Sequence, residues 1–200
     1  PSNTTVQPAL DTTPTTPEKR SLVVYFSMPE TADPNNMTQD EAQSTVVIDN
    51  EVLGNTQYMA YIIQQTADAD IFRIEPETPY PTDHRTLVDL AADEQDKNAR
   101  PAIKDSITDW ETYDTIFVGY PIWWSDMPMI LYTFFDQYDF SGKTLVPFST
   151  HGGSGFVGTP TTIERLEPNA KMQNGLTISR DRIQDAEKDI IDWVNGLKQN

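Results

Sequence analysis

The chain has 200 residues, enough for one domain with a sizeable core, and it carries 31 Asp and Glu against 14 Lys and Arg, a net charge of −17. That balance, with no run of Lys or Arg, argues against a nucleic-acid or anionic-lipid binder, and no apolar run approaches the length of a membrane span. The absence of cysteine excludes disulfides, thiolate metal sites and cysteine nucleophiles, and His84 and His151 are the only imidazoles, so no metal site is expected.

Residues 1–20, "PSNTTVQPALDTTPTTPEKR", are rich in Thr and Pro and poor in apolar side chains, the composition of a disordered linker. With Pro1 as its first residue, this stretch is expected to tether the domain to a removed secretion signal or lipid anchor, which would make the protein extracytoplasmic; a cytoplasmic tail is the alternative. The folded domain is expected over 21–200. Leu22–Phe26 is a short β-branched and aromatic run, hence a strand buried on both faces. Residues 28–53 follow with six acids and no Lys or Arg, and within them "STVVIDNEVL" has the pattern of a hairpin turning at Asp49–Asn50.

In "GNTQYMAYIIQQTA", Asn55 or Thr56 can cap a helix whose buried face carries Met59, Ile62, Ile63 and Thr66. Asp70–Glu75 is a second strand, "PETPYP" a rigid loop, and 82–99 a polar helix with Leu87, Val88 and Ala91 inward. Thr115–Tyr120 is the strongest strand, stopped by Pro121; a helix starts near Asp126 and Pro128. "KTLVPFST" is a fourth strand, Thr159–Leu166 a short helix, "GLTISR" a last strand, and Asp181–Leu197 a terminal helix with Ile183, Ala186, Ile190, Trp193, Val194 and Leu197 as its buried stripe. Strands and helices alternate, which implies right-handed crossovers and a doubly wound α/β sheet, with ligands bound beyond the C-terminal strand ends.

The informative loops therefore follow strands one, three and four: Ser27, "YPIWWSDMP" and "STHGGSGFVGT". Two adjacent tryptophans in a loop can both line a pocket for a large flat ligand, although either can instead plug the top of the core. The glycines after His151 let backbone amides approach a ligand closely. "HGGS" has the look of an esterase oxyanion loop, but there is no G-x-S-x-G elbow and no His beyond Ser154 to act as base, which removes a serine hydrolase. His84, at the start of a polar helix, reads as a solvated residue, and the acids are too numerous for any pair to stand out.

"LVVYFS", "GNTQ", "TPYPTDH", "ARPAI", "YDTIFVGYPIWW", "MPMILYTFFDQYDFSGKTLVPFSTHGGSGF" and the final "ISR" together resemble the flavodoxin-like family, in its bacterial flavodoxin-domain oxidoreductase branch, over about Ser21 to Lys198. The resemblance implies a three-layer sandwich with a five-stranded parallel sheet in the order 2-1-3-4-5, helices on both faces, and FMN as cofactor. It implies a phosphate held by amides and hydroxyls at a helix N-terminus: Ser27, Asn55 and Thr56, with Met28 and Gln57 beside them. In the family the hydroxyl residue and G-N-T adjoin; here residues 28–53 separate them, which is expected to be an insert folding back as a flap over the pocket. Pro121, Ile122, Trp123 and Trp124 would lie along the flavin, one indole stacking near it, and Thr150, His151, Gly152 and Gly153 would meet the pyrimidine edge and ribityl chain. No side chain is expected to act as acid or base. The implied function is an oxidoreductase passing electrons from NAD(P)H to a quinone or similar acceptor. The alternatives are a non-catalytic low-potential electron carrier docking on a redox protein, and a flavin-binding module with a sensing or storage role.

Overall fold

In the computed structural model, which describes Glu18 and residues 20–199, the elements run β1 (Arg20–Tyr25), α1 (Gln39–Gln43), β2 (Thr45–Ile48), β3 (Glu51–Gly54), α2 (Asn55–Ala67), β4 (Asp70–Arg73) and α3 (His84–Asp96). They continue with β5 (Tyr113–Pro121), α4 (Met129–Gln137), β6 (Thr144–His151), α5 (Thr159–Leu166), β7 (Lys171–Met172), β8 (Leu176–Ser179) and α6 (Glu187–Leu197). The linker expected over 1–20 lies almost wholly outside the described residues, but Arg20 already belongs to β1, where it pairs with Tyr113. Its guanidinium meets the Asp70 carboxylate, which also accepts from the Tyr113 hydroxyl at 2.6 Å. These two donors, Tyr113 first, hold the Asp70 carboxyl below its ordinary range.

β4, β1, β5 and β6 form a parallel sheet in that order, and both β7 and β8 pair with the outer edge of β6. This is the expected 2-1-3-4-5 order with the fifth strand in two pieces. Pro147 accounts for the break. Leu145 and His151 accept from Gln173 and Arg180, so the odd residues of β6 face the edge strand. Pro147 shares that orientation and has no N–H to give, so the ladder lapses there and residues 173–175 bulge past it. Gly175 fits in the bulge because a Cβ would lie 2.3 Å from the Pro147 carbonyl. Pro121 was expected to stop β5, yet β5 includes it. Gly119 accepts from Phe26, so odd residues of β5 face β1, and Pro121 sits beyond the end of β1, where no ladder bond is lost.

Alternate residues of each strand face opposite layers. Leu22, Val24, Ile116 and Val118 pack with Leu87 of α3, Ile130 and Phe134 of α4 and Ile163 of α5. Val23, Phe117 and Val146 pack with Met59 and Ile63 of α2 and Ile190 and Val194 of α6. The terminal helix is split: a 3₁₀ turn over Ile183–Asp185 precedes α6. Ile183 and Ala186 are three residues apart, the period of that tighter turn, and the four-residue step from Ala186 to Ile190 restores the α-helix.

The hairpin at Asp49–Asn50 is present. β2 and β3 are antiparallel, and both turn residues are left-handed, φ 51° and 65°, as a two-residue I′ turn requires. Val46 buries the hairpin against the α2 layer. β3 then runs straight into α2, so β1 and α2 are separated in sequence by residues 26–54 and adjacent in space.

Candidate functional site

α2 starts one residue earlier than its sequence implies. Gly54, not Asn55 or Thr56, is the N-cap residue. Having no side chain, it cannot cap, and Ser27, two residues past β1, does so: its Oγ accepts from the Gln57 amide at 3.3 Å. A Cβ on Gly54 would come 2.0 Å from that Oγ. Glycine here is therefore the condition for the strand-one hydroxyl to reach the helix. Gln57 completes the cap, its Oε1 accepting from the Gly54 amide at 3.0 Å and its Nε2 donating to Tyr61 at 2.9 Å. The Thr56 and Thr150 hydroxyls are 2.9 Å apart. Asn55 donates from Nδ2 to the Gln43 carbonyl at 2.7 Å and from its amide to Ser44 at 3.1 Å, while its Oδ1 is buried with no partner.

At the end of β5 the two tryptophans divide their roles. Trp123 packs edge-on against Phe26 and Tyr80, with ring centroids 5.3 and 5.7 Å away, a partly buried ring set against the core cluster. Reciprocal bonds between Trp123 and Asp126, 2.9 and 3.1 Å, close a turn that puts Trp124 and Ser125 at φ 50° and 59°. Left-handed backbone at two non-glycine residues is strained. Asp126 braces the turn by accepting from the Met127 amide at 2.7 Å and from the Tyr132 hydroxyl. The strain turns Trp124 outward: it is 54% exposed, and its Nε1 donates to the Val88 carbonyl of α3 at 3.0 Å.

After β6, His151 folds back on its own loop, Nδ1 accepting from the Gly153 amide at 2.8 Å, and burial pushes its imidazole down from the ordinary value. A Cβ on Gly152 would lie 3.0 Å from the Arg180 guanidinium carbon, so that side chain rests on the glycine backbone.

These loops surround one cavity of about 260 Å³. Of the expected residues, Ser27, Met28, Asn55 and Thr56 line one end, Pro121, Ile122, Trp123 and Trp124 another, and Thr150, His151 and Gly152 a third. Gln57 and Gly153 do not line it: Gln57 is turned into the helix cap, and Gly153 serves its own turn at φ 124°. Three further groups of residues line the cavity, the first from the segment expected to fold back as a flap over the pocket. Glu30, Asp40, Gln43 and Ser44 make residues 28–44 a wall of the cavity. His84, Leu87, Val88 and Ala91, spaced as one stripe along α3, make the facing wall, and Arg180 closes the side by His151. The inward set Leu87, Val88 and Ala91 held the signal for α3, and "ISR" contained Arg180.

His84 is exposed to solvent, as expected, but it is also paired. Its Nδ1 lies 2.7 Å from Oε1 of Glu30, a side chain 5% exposed, and its Nε2 is 3.9 Å from Asp40. Burial raises the Glu30 carboxyl above its ordinary value, opposed by the bond from His84. Among the described residues, no group of three His, Asp or Glu is placed to hold a metal ion, and no helix is long and apolar enough to cross a membrane.

The family whose model matches this chain is Flavodoxin, over residues 45–197. No curated protein matches. Among solved structures, a flavoprotein structure from Bacteroides eggerthii DSM 20697 is 28% identical, covering 88% of this chain and 96% of its own, with a TM-score of 0.67. One from Bacteroides uniformis ATCC 8492 is 25% identical, covering 85% and 98%, with a TM-score of 0.64. A flavoprotein from Lactobacillus acidophilus NCFM, solved in complex with FMN, is 20% identical over 87% and 99%, with a TM-score of 0.60, a likeness of fold. The fold is thus a flavodoxin-like α/β sandwich.

Proposed function

The chain belongs to the flavodoxin family, and on that premise we propose that it is an FMN-dependent oxidoreductase passing electrons from NAD(P)H to a quinone or similar acceptor. The observation that carries the reading is a single cavity joining two chemistries: buried hydroxyls at the start of α2 and an apolar wall ending in an exposed indole. A phosphate suits the first, because helix amides and hydroxyls hold an anion without a cation. A flat ring system suits the second. The residues fit FMN in a further respect: the buried, unpartnered Asn55 Oδ1 is an acceptor in need of a donor, and a ribityl chain carries hydroxyl donors.

Ser27, Asn55 and Thr56 would hold the phosphate and ribityl ends, and Pro121 to Trp124 with Thr150 to Gly152 the ring system. FMN, when bound, supplies the hydride and electron chemistry, and the chain's task is to bind and orient it. Trp124 is the indole that would cover a ring, since Trp123 is engaged with Phe26 and Tyr80. The test is uptake of FMN by purified protein, followed by NAD(P)H oxidation with a quinone as acceptor. Turnover above that of free FMN supports the enzyme. Protein that takes up no FMN removes the reading altogether. The net charge of −17 favours a second reading, a carrier steered to a basic redox partner, which predicts bound FMN with no turnover above background.

A further inference from the structure

We propose that His84 is a catalytic proton donor, and that the acceptor is of the class, such as a quinone, that takes up a proton together with each hydride. The inference rests on the FMN-dependent reading above and specifies its acceptor. Its basis is the pairing of His84 with Glu30 on the cavity wall. Acids are seldom buried without a partner; Glu30 is 6% exposed, and its carboxylate meets His84 Nδ1 at 2.7 Å. Its backbone is fixed as well: the Glu30 amide donates to Ser44 Oγ at 3.1 Å, and the Ser44 carbonyl accepts from the Asn55 amide at 3.1 Å. Two hydrogen bonds thus tie the carboxylate to the start of α2, while the imidazole it holds belongs to α3.

A carboxylate that engages Nδ1 orients the ring and leaves Nε2 to exchange protons. His84 opens the stripe continued by Leu87, Val88 and Ala91, and Trp124 is bonded to the same helix at Val88. A flat acceptor on this wall meets carbon along its length and an imidazole at its end. The side chain of His84 is 46% exposed, so water can restore its proton. The charged groups facing it are Glu30 and Asp40 from the segment after β1, with Asp83 and Arg85 beside it at the start of α3.

The step balances as follows. FMN, once reduced by NAD(P)H, would supply the acceptor with a hydride, two electrons and one proton. One acceptor oxygen forms an O–H bond as the Nε2–H bond of the His84 imidazolium breaks. The hydroquinone leaves, and the neutral imidazole, still donating from Nδ1 to Glu30, is reprotonated by water.

The experiment starts from FMN-loaded protein reduced with dithionite and follows a single reoxidation by benzoquinone or by ferricyanide, which takes electrons without protons. In His84→Gln, reoxidation by benzoquinone slows about 100-fold, while the ferricyanide rate and the FMN dissociation constant stay within about twofold. Glu30→Gln falls between, about tenfold slower with benzoquinone. An unchanged benzoquinone rate, or an equal loss with both acceptors, overturns the proposal. A second readout needs no turnover: ¹⁵N shifts of the imidazole in FMN-free protein show the neutral ring protonated on Nδ1, and a ring protonated on Nε2 alone overturns the part given to Glu30. Because reduction is chemical, failure of NAD(P)H as donor strikes the oxidoreductase reading and leaves this result legible; failure to bind FMN overturns both.

Discussion

At the α2 end of the cavity, Ser27, Thr56 and Thr150 are buried, uncharged and already engaged in hydrogen bonds within the protein. At the α3 end, His84 and Asp40 are about half exposed, and a buried acid holds the imidazole from behind. The first arrangement suits a ligand that stays, since donors fixed in place need no reorganisation on binding. The second suits groups that exchange protons with water. Residues 28–44 join the two, because Ser44 bonds Asn55 on one side and Glu30 on the other.

The contrast can be broken residue by residue. The largest effect is expected between the tryptophans: Trp123→Ala removes a ring packed on Phe26 and Tyr80 and costs about 3 kcal/mol in urea unfolding, whereas Trp124→Ala leaves stability nearly unchanged and weakens FMN by about 1 kcal/mol, read by flavin fluorescence. Equal losses of stability would erase the division of labour. Next, Gly54→Ala drives a Cβ into Ser27 Oγ; we expect about 2 kcal/mol of destabilisation and loss of measurable FMN binding, since the hydroxyl must leave the helix start. Ser27→Ala removes the surrogate cap without a clash and costs about 1 kcal/mol in the same urea assay.

The smallest expected effect concerns an acid remote from the cavity. Burial first, then Asp136 and Asp139, raise the Glu167 carboxyl to about 7. Its folded value lies above its unfolded one, so the stability it contributes is present below the ordinary carboxylate range and is lost as pH rises through about 7. Glu167→Gln should match the wild type near pH 4 and exceed it above pH 7 by on the order of 1 kcal/mol, after allowing for solvent screening. Both Glu30 and Glu167 are raised by burial, but only Glu30 has an imidazole partner, and this difference separates a site from a strained surface.

The strand cores, the Asp49–Asn50 turn and the bounds of α5 were legible because each depends on neighbours in sequence. The cavity loops were legible once the strands were ordered, since a doubly wound sheet places its ligands beyond the strand ends. The Glu30–His84 pair was not: its members are 54 residues apart, and they meet only because the path of residues 28–44 returns to α3. Nor could local pattern separate Trp123 from Trp124. The distinction arises from a turn closed by Asp126, whose left-handed residues carry no glycine to announce it. The helix start was misjudged for a similar reason, since the capping hydroxyl lies 27 residues before Gly54.

Pro147 has an effect beyond the strand it sits in. A sheet is vulnerable to other chains along its open borders, where unpaired amides invite another strand. Here one border is four residues of β4, and the other is β7 and β8, two and four residues, with a bulge between them. Neither offers an uninterrupted row long enough to recruit a neighbour. The missing N–H of Pro147 thereby interrupts one of the two open borders of a sheet with a strongly apolar centre.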